Sequence, residues 1–140
     1  ELLIKIFEVT GSDNSIEFVR RLQAKYPKGE FLELDAITLA VARNFDGIYS
    51  NKVMHHLRDE ELKDSIQRQS ELLNSNGIIC HSFWKGEGSE IFKGLFVNYH
   101  DESALRDFYH NQFKILSIEP YKEFDAGDSL LVIARKMKNN

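Results

Sequence analysis

The sequence predicts an α/β domain in which helices and strands alternate around a mainly parallel sheet. Three observations predict it. Short apolar runs ending at acidic or polar turns recur between stretches of helical period, such as Phe18, Val19, Leu22 and Tyr26. The only two prolines, Pro27 and Pro120, fall at element boundaries. The last two apolar runs lie too close together for a helical crossover, so they form a C-terminal antiparallel hairpin. At 140 residues, the chain is expected to form a single domain spanning residues 1–140.

The elements follow in order. A first strand ends around Glu8–Gly11, with Glu1–Ile6 as the remnant of a preceding helix or an extension of the strand. A helix starts with Asn14 as N-cap and Glu17 three residues later, a capping-box spacing. Pro27 and Gly29 stop this helix, and a short strand, Glu30–Leu34, ends at Asp35. The strand Phe45–Ser50 leads through a turn bearing two histidines to a helix from Asp59 to Leu73. Asp59, Glu60 and Glu61 occupy the first turn of that helix, where carboxylates favour the positive end of its dipole. Leu62, Ile66, Gln69 and Leu73 share one of its faces, and Asn74–Gly77 supplies residues suited to a left-handed stop.

Gly77–Phe83 is an apolar run without alternation, as in a central strand buried on both faces. Trp84–Asn98, punctuated by Gly86, Gly88 and Gly94, is expected to be a loop with one helical turn. A capped helix, Asp101–His110, precedes the strands Lys114–Pro120 and Ser129–Arg135.

Composition excludes several classes. A formal charge of −4 argues against a protein that coats nucleic acid, whose footprint would be basic. The single cysteine, Cys80, cannot form an internal disulfide and is expected to be a buried, inert thiol. No CxxC pair or HExxH pattern points to a metal, and His81, His100 and His110 are too dispersed for one. No apolar stretch approaches the roughly 20 residues that cross a bilayer, so a cytoplasmic location is expected.

Chemistry-bearing residues collect just after strands. Asp13 follows the first, Asp35 and Ala36 the second, and Ser50 and Asn51 the third. In open α/β sheets ligands bind over those carboxyl ends. One carboxylate there accepts both hydroxyl hydrogens of a ribose. A second accepts from an adenine amino group while the N–H of Ala36 reaches a ring nitrogen. Aspartates in this position also serve simply as caps for the next helix.

The order EVTGSDNS, FLELDA, FDGIYSNKVMHHL, an acidic amphipathic helix, NSNGIICHSF and a final hairpin resembles the class I S-adenosylmethionine-dependent methyltransferases. Within that family the likeness is to the small-molecule branch that includes ubiquinone- and menaquinone-biosynthesis enzymes. The resemblance spans about Phe7 to Lys136, and FDGIYSNKVMHHL (Phe45–Leu57) is its most specific part.

It implies a Rossmann-like methyltransferase fold, S-adenosylmethionine as cofactor, and a small-molecule methyl acceptor. Asp13, beside Asn14, would bind the ribose, and Asp35 with Ala36 the adenine. Ser50 and Asn51 would lie beside the methionine portion and the sulfonium. His55 and His56 would face the acceptor side, either of them as the base that takes its proton, or would support the loop. Trp84, Phe83, Phe92, Phe96, Tyr99 and His100 are candidates to line the acceptor pocket, with ordinary core packing as the alternative for these aromatics.

Members of the family open with a strand and a glycine-rich D/E-x-G-x-G turn, and no such motif occurs in this chain. The domain is therefore expected to be N-terminally shortened, with cofactor binding weakened or lost. The strand near Val9 would take the strand at Ile48 as its neighbour; alternatively a second copy, as a homodimer, or a separate partner chain would complete the sheet. The alternative function is a catalytically inactive, methyltransferase-like binding or assembly module.

Overall fold

The computed structural model describes residues 5–138, and the chain divides into two compact units, Glu1–Val41 and Ala42–Asn140. In the first, β1 (Thr10–Asp13), α1 (Ile16–Lys25) and β2 (Glu30–Glu33) form a βαβ unit. β1 and β2 are parallel, in register from Thr10↔Glu30 to Asp13↔Glu33. Of the expected segment Glu1–Ile6, residues 1–4 lie outside the described residues, and Ile6 is an exposed turn residue.

The first strand starts and ends later than Glu8–Gly11, because its pairing with β2 carries it through Asp13. Its neighbour is β2 rather than the strand at Ile48. The N-cap of α1 is Ser15, not Asn14. The Ser15 hydroxyl accepts the N–H of Phe18 at 3.3 Å, and the Ser15 N–H is already held by Asp13 Oδ1 at 2.8 Å. That arrangement satisfies the first orphan donors of the helix from one residue further on. At its far end Gln23 Nε2 donates to the carbonyl of Gly29 at 2.9 Å, bracing the turn at Pro27. Phe31 then closes the unit. A Cβ at either Gly11 or Gly29 would stand 2.8 Å from its ring, so both positions need glycine for this approach.

The second unit holds β3 (Phe45–Asn51), a short 3-10 helix (Met54–His56), α2 (Asp59–Leu72) and β4 (Leu73–Trp84). The chain continues through β5 (Ser89–Phe92), β6 (Leu95–Asn98), α3 (Glu102–Tyr109), β7 (Phe113–Tyr121) and β8 (Ser129–Lys136). Its four-stranded sheet has the order β3-β4-β8-β7. The β3–β4 pair is parallel, while β4–β8 and β8–β7 are antiparallel, which sets the C-terminal hairpin beside the central strand. Asn76 takes the left-handed conformation, φ 63°, where α2 gives way to β4. The β3–β4 register jumps there, from Phe45↔Leu73 to Gly47↔Ile78. At the far edge β7 contains Pro120, which has no N–H to give to a ladder and suits an edge strand.

The core of this unit lies between sheet and helices. Ile79, Phe83, Leu130, Val132 and Ala134 from the strands are buried, as are Leu62 and Ile66 of α2 and Leu105 and Tyr109 of α3. Gln69 and Leu73 are buried too, so the partly polar face expected for α2 is the one that packs. Gln69 finds a partner in Ser65 Oγ, 3.1 Å from its Nε2.

The segment Trp84–Asn98 is not a loop with a helical turn. It carries the antiparallel hairpin β5–β6, turning on Lys93 and Gly94, with φ 51° and 79°. Two successive left-handed residues match the twist of a two-residue hairpin, and glycine supplies one of them without strain.

Candidate functional site

In the first unit, the parallel register brings the carboxyl ends of β1 and β2 side by side. The Asp13 carbonyl accepts the Leu34 N–H at 3.0 Å, which ties the two strand ends together. Each aspartate then makes the same local bond. Asp13 Oδ1 accepts the Ser15 N–H at 2.8 Å, and Asp35 Oδ1 accepts the Ile37 N–H at 2.7 Å. Both bonds run two residues forward and fix the side chain at its strand end. Among the described residues, no hydrogen bond to the protein engages Oδ2 of either carboxylate. Asn14 is exposed and Ala36 half-buried between the bonded residues. The structure thus brings Asp13, Asn14, Asp35 and Ala36 to one edge of one small βαβ unit.

In the second unit, β3 and β4 also end together, with Asn51 opposite Ser82. The Ser82 hydroxyl donates to Asn51 Oδ1 at 2.6 Å and accepts the Lys52 N–H at 2.9 Å. Ser50 is buried, and its hydroxyl has no partner. Lys52, which sequence reasoning passed over, adopts a left-handed conformation, φ 54°. Its ammonium lies 3.1 Å from the Trp84 ring centroid, donates to Ser129 Oγ at 2.9 Å and pairs with Glu123. One side chain thereby ties the end of β3 to the end of β4 and to the β7–β8 connection. A lysine after a strand carries no local sequence signal for this, since Glu123 and Ser129 lie 71 and 77 residues on.

The two histidines differ. His55 is buried, tilted 41° against the His56 ring with centroids 3.9 Å apart and edge-on to Trp84 at 6.4 Å. Burial first, then the neighbouring His56, Lys52 and His100, pull its pKa down to about 4. It is neutral at pH 7 and a weak base. His56 is exposed, and its Nδ1 lies 2.9 Å from the Phe96 carbonyl. A carbonyl only accepts, so Nδ1 carries the hydrogen in that contact, and in the neutral ring Nε2 is the nitrogen with the lone pair.

Beside this histidine turn, an open cleft of about 490 Å³ is lined by Arg58, Asp59, Ser89, Phe96 and Asn98, among others. Arg58 lies over the Phe96 ring at 4.4 Å, and Asn98 Nδ2 donates to Asp59 Oδ1 at 2.8 Å.

Other candidates pack instead. His100 is buried, edge-on to Phe83 at 5.2 Å and to Phe108 at 5.6 Å. Tyr99 donates its hydroxyl to Glu90 at 2.6 Å on the β5–β6 hairpin. Cys80 is half-buried, and burial pushes its thiol pKa up, away from nucleophilic character. Among the described residues, no group of three or more metal-ligating side chains occurs and no helix is long and apolar enough to cross a membrane.

A family model described as a methyltransferase domain matches residues 1–77. No curated protein matches the chain. Among solved structures, an S-adenosylmethionine-dependent methyltransferase from Methanosarcina mazei is 16% identical. The match covers 99% of this chain and 86% of that one, with a TM-score of 0.86. The 1,6-didemethyltoxoflavin-N1-methyltransferase of Burkholderia thailandensis was solved with 1,6-didemethyltoxoflavin and S-adenosylhomocysteine bound. It is 20% identical, covered over 97% of this chain and 64% of its own, with a TM-score of 0.78. The N-methyltransferase NodS of Bradyrhizobium japonicum, in complex with S-adenosylhomocysteine, is 15% identical. There the match covers 92% of this chain and 66% of that one, with a TM-score of 0.69. The chain thus spans just under two thirds of the Burkholderia enzyme. Likeness at these identities shows the fold.

Proposed function

The chain belongs to the methyltransferase-domain family and has the fold of S-adenosylmethionine-dependent class I members; from this we propose that it transfers a methyl group to a small molecule. The observation that carries the reading is the pairing of Asp13 and Asp35. Two carboxylates stand at adjacent ends of parallel strands, each pinned through Oδ1 with Oδ2 unengaged by the described residues. A nucleoside offers donors to two such acceptors, the ribose hydroxyls to one and the adenine amino group to the other. Capping alone also explains the Oδ1 bond of Asp13, so the second oxygen and the repetition at Asp35 support the ligand.

S-adenosylmethionine supplies an activated methyl group on a sulfonium, a good leaving group, so the protein's work is positioning. Well-oriented reactants gain on the order of 7–11 kcal/mol in this way. Asp13, with Asn14 beside it, holds the ribose, and Asp35 with the Ala36 N–H the adenine. Ser50 and Asn51 adjoin the methionine portion. Asn51 is oriented for this by Ser82, which takes its Oδ1 and leaves its amide N–H groups for a ligand. His56 is the better placed of the two histidines as acceptor base, because its Nδ1 contact leaves Nε2 basic. His55 supports the turn from beneath.

Residues 1–140 act as one methyltransferase-like domain in the cytoplasm, of the ubiquinone- and menaquinone-biosynthesis-like branch, with no nucleic-acid partner. A homodimer completes the sheet.

Calorimetry with S-adenosylhomocysteine tests the reading. Saturable binding is expected, weaker by about tenfold or more in Asp13→Ala and Asp35→Ala, as for loss of a hydrogen bond to a charged group. Absence of heat at millimolar ligand, or equal affinity in both variants, overturns it.

A further inference from the structure

Phe124 is 72% exposed, yet the turn that carries it is held in one shape. Asp128 Oδ1 accepts the Glu123 N–H at 2.9 Å and the Ser129 hydroxyl at 2.8 Å. Its Oδ2 accepts the N–H groups of Phe124 and Asp125 at 2.9 and 3.0 Å. These bonds keep the carboxyl ionised far below its ordinary range.

The ring itself stacks on Trp84, with centroids 5.9 Å apart and planes 21° from parallel. Trp84 is in turn fixed by the Lys52 ammonium at 3.1 Å from its centroid. Trp84 ends β4, pairs with Ser129, and stands where the parallel β3–β4 pair presents its carboxyl ends. A large apolar side chain that folding leaves in water, but that four hydrogen bonds and a stacked indole hold still, is preorganised for contact from outside. The location is where an α/β sheet receives its ligand.

We propose that the exposed face of Phe124 is a stacking platform for a planar aromatic or heteroaromatic molecule; that this molecule is the methyl acceptor rests on the methyltransferase reading above. A rigid ring recognises a flat π-system through dispersion and the ring quadrupole and gives a flexible aliphatic chain no comparable contact. Lys52, bound to Glu123 and Ser129, holds Trp84 and acts as a positioning residue for the platform.

The chain's only tryptophan, Trp84, lies directly beneath Phe124 and reports binding by fluorescence. The probe is lumazine, a flat bicyclic heterocycle, with glutarimide as a non-aromatic control. Lumazine is expected to quench Trp84 saturably, and glutarimide is not. Phe124→Leu keeps the apolar volume without the π face and should weaken lumazine binding about tenfold, as for loss of one stacking contact. Phe124→Tyr should retain it, and Asp128→Asn, which loosens the turn, should weaken it by a smaller factor.

Equal affinity in Phe124→Leu, equal binding of glutarimide, or no saturable quenching at millimolar lumazine overturns the proposal. So does light scattering that shows Phe124→Ala abolishing a dimer while lumazine affinity is unchanged, because the ring then serves a second copy. If S-adenosylhomocysteine binds and lumazine does not, the platform fails and the methyltransferase reading stands. If lumazine binds and S-adenosylhomocysteine does not, the reverse holds.

Discussion

The two units bring different physics to one family. In Glu1–Val41, Val19 is the sole apolar side chain buried among the described residues, and backbone pairing, the Ser15 cap and the Phe31 contacts hold the rest. In Ala42–Asn140, a sheet and two helices close over a dense core. The carboxylates proposed for the nucleoside, Asp13 and Asp35, therefore stand on the lightly packed unit, and the residues proposed for the acceptor side on the firmly packed one. Segments with few buried contacts open at low cost, and ligand-binding elements are commonly drawn from them. Binding to such a unit both orders it and stabilises it by mass action.

The largest expected effects test that contrast directly. Phe83→Ala should cost about 3–5 kcal/mol, as for a large aromatic removed from a packed core. Val19→Ala should cost about 1.5 kcal/mol, the transfer of two buried methyl groups. Equal shifts in the urea midpoint for the two variants would erase the difference between the units.

Acid comes next and should strike the second unit. Burial holds the His81 pKa at about 3, with Nδ1 bonded to the Tyr109 hydroxyl at 2.7 Å, and His55 is held at about 4. Both values lie below the free histidine value near 6.5, so the unfolded chain binds more protons between them. The stability these neutral rings contribute is complete above about pH 6.5 and falls away as pH drops toward 4. From pH 6.5 to 4.5 the loss is on the order of 2 kcal/mol per histidine. His81→Gln should flatten part of that slope in pH-dependent melting, and an unchanged slope would count against His81 as its source.

Hydrogen exchange sharpens the comparison at residue level. Amides of β1 and β2 should exchange through local opening, faster than those of β4 and β8, and S-adenosylhomocysteine should slow the first set more than the second. Uniform protection in both sets would contradict it. The smallest effect belongs to a cap. Ser15→Ala should cost about 1 kcal/mol while Asn14→Ala costs little, because only the serine hydroxyl holds a helix donor.

Much of this was legible in the chain. Helical period placed α2 and α3 to within a residue at most ends, and the dipole-favouring acids marked the start of α2. The polar turns after apolar runs located Asp13, Asp35 and Asn51 at strand ends. The cap of α1 was missed by one residue because Asp13, Asn14 and Ser15 are all good caps, and only the geometry shows Asp13 already engaged.

The hairpin β5–β6 was missed because its glycines were read as loop punctuation. The signal was Lys93-Gly94, a two-residue turn between SEIF and LFVN. The cluster of Lys52, Trp84, Glu123 and Ser129 could not be read at all. Its members are brought together by the sheet order β3-β4-β8-β7, which no local pattern encodes.

Pro120 carries one last consequence, for polymerisation. The four-stranded sheet of the second unit is chemically lopsided: β7 ends it with a residue that cannot extend a ladder, whereas β3, at the other end of the order, contains no proline. Two copies joined along β3 would present a proline-bearing strand at both outer margins. Growth by this route would stop at the pair, giving a closed particle instead of a fibre.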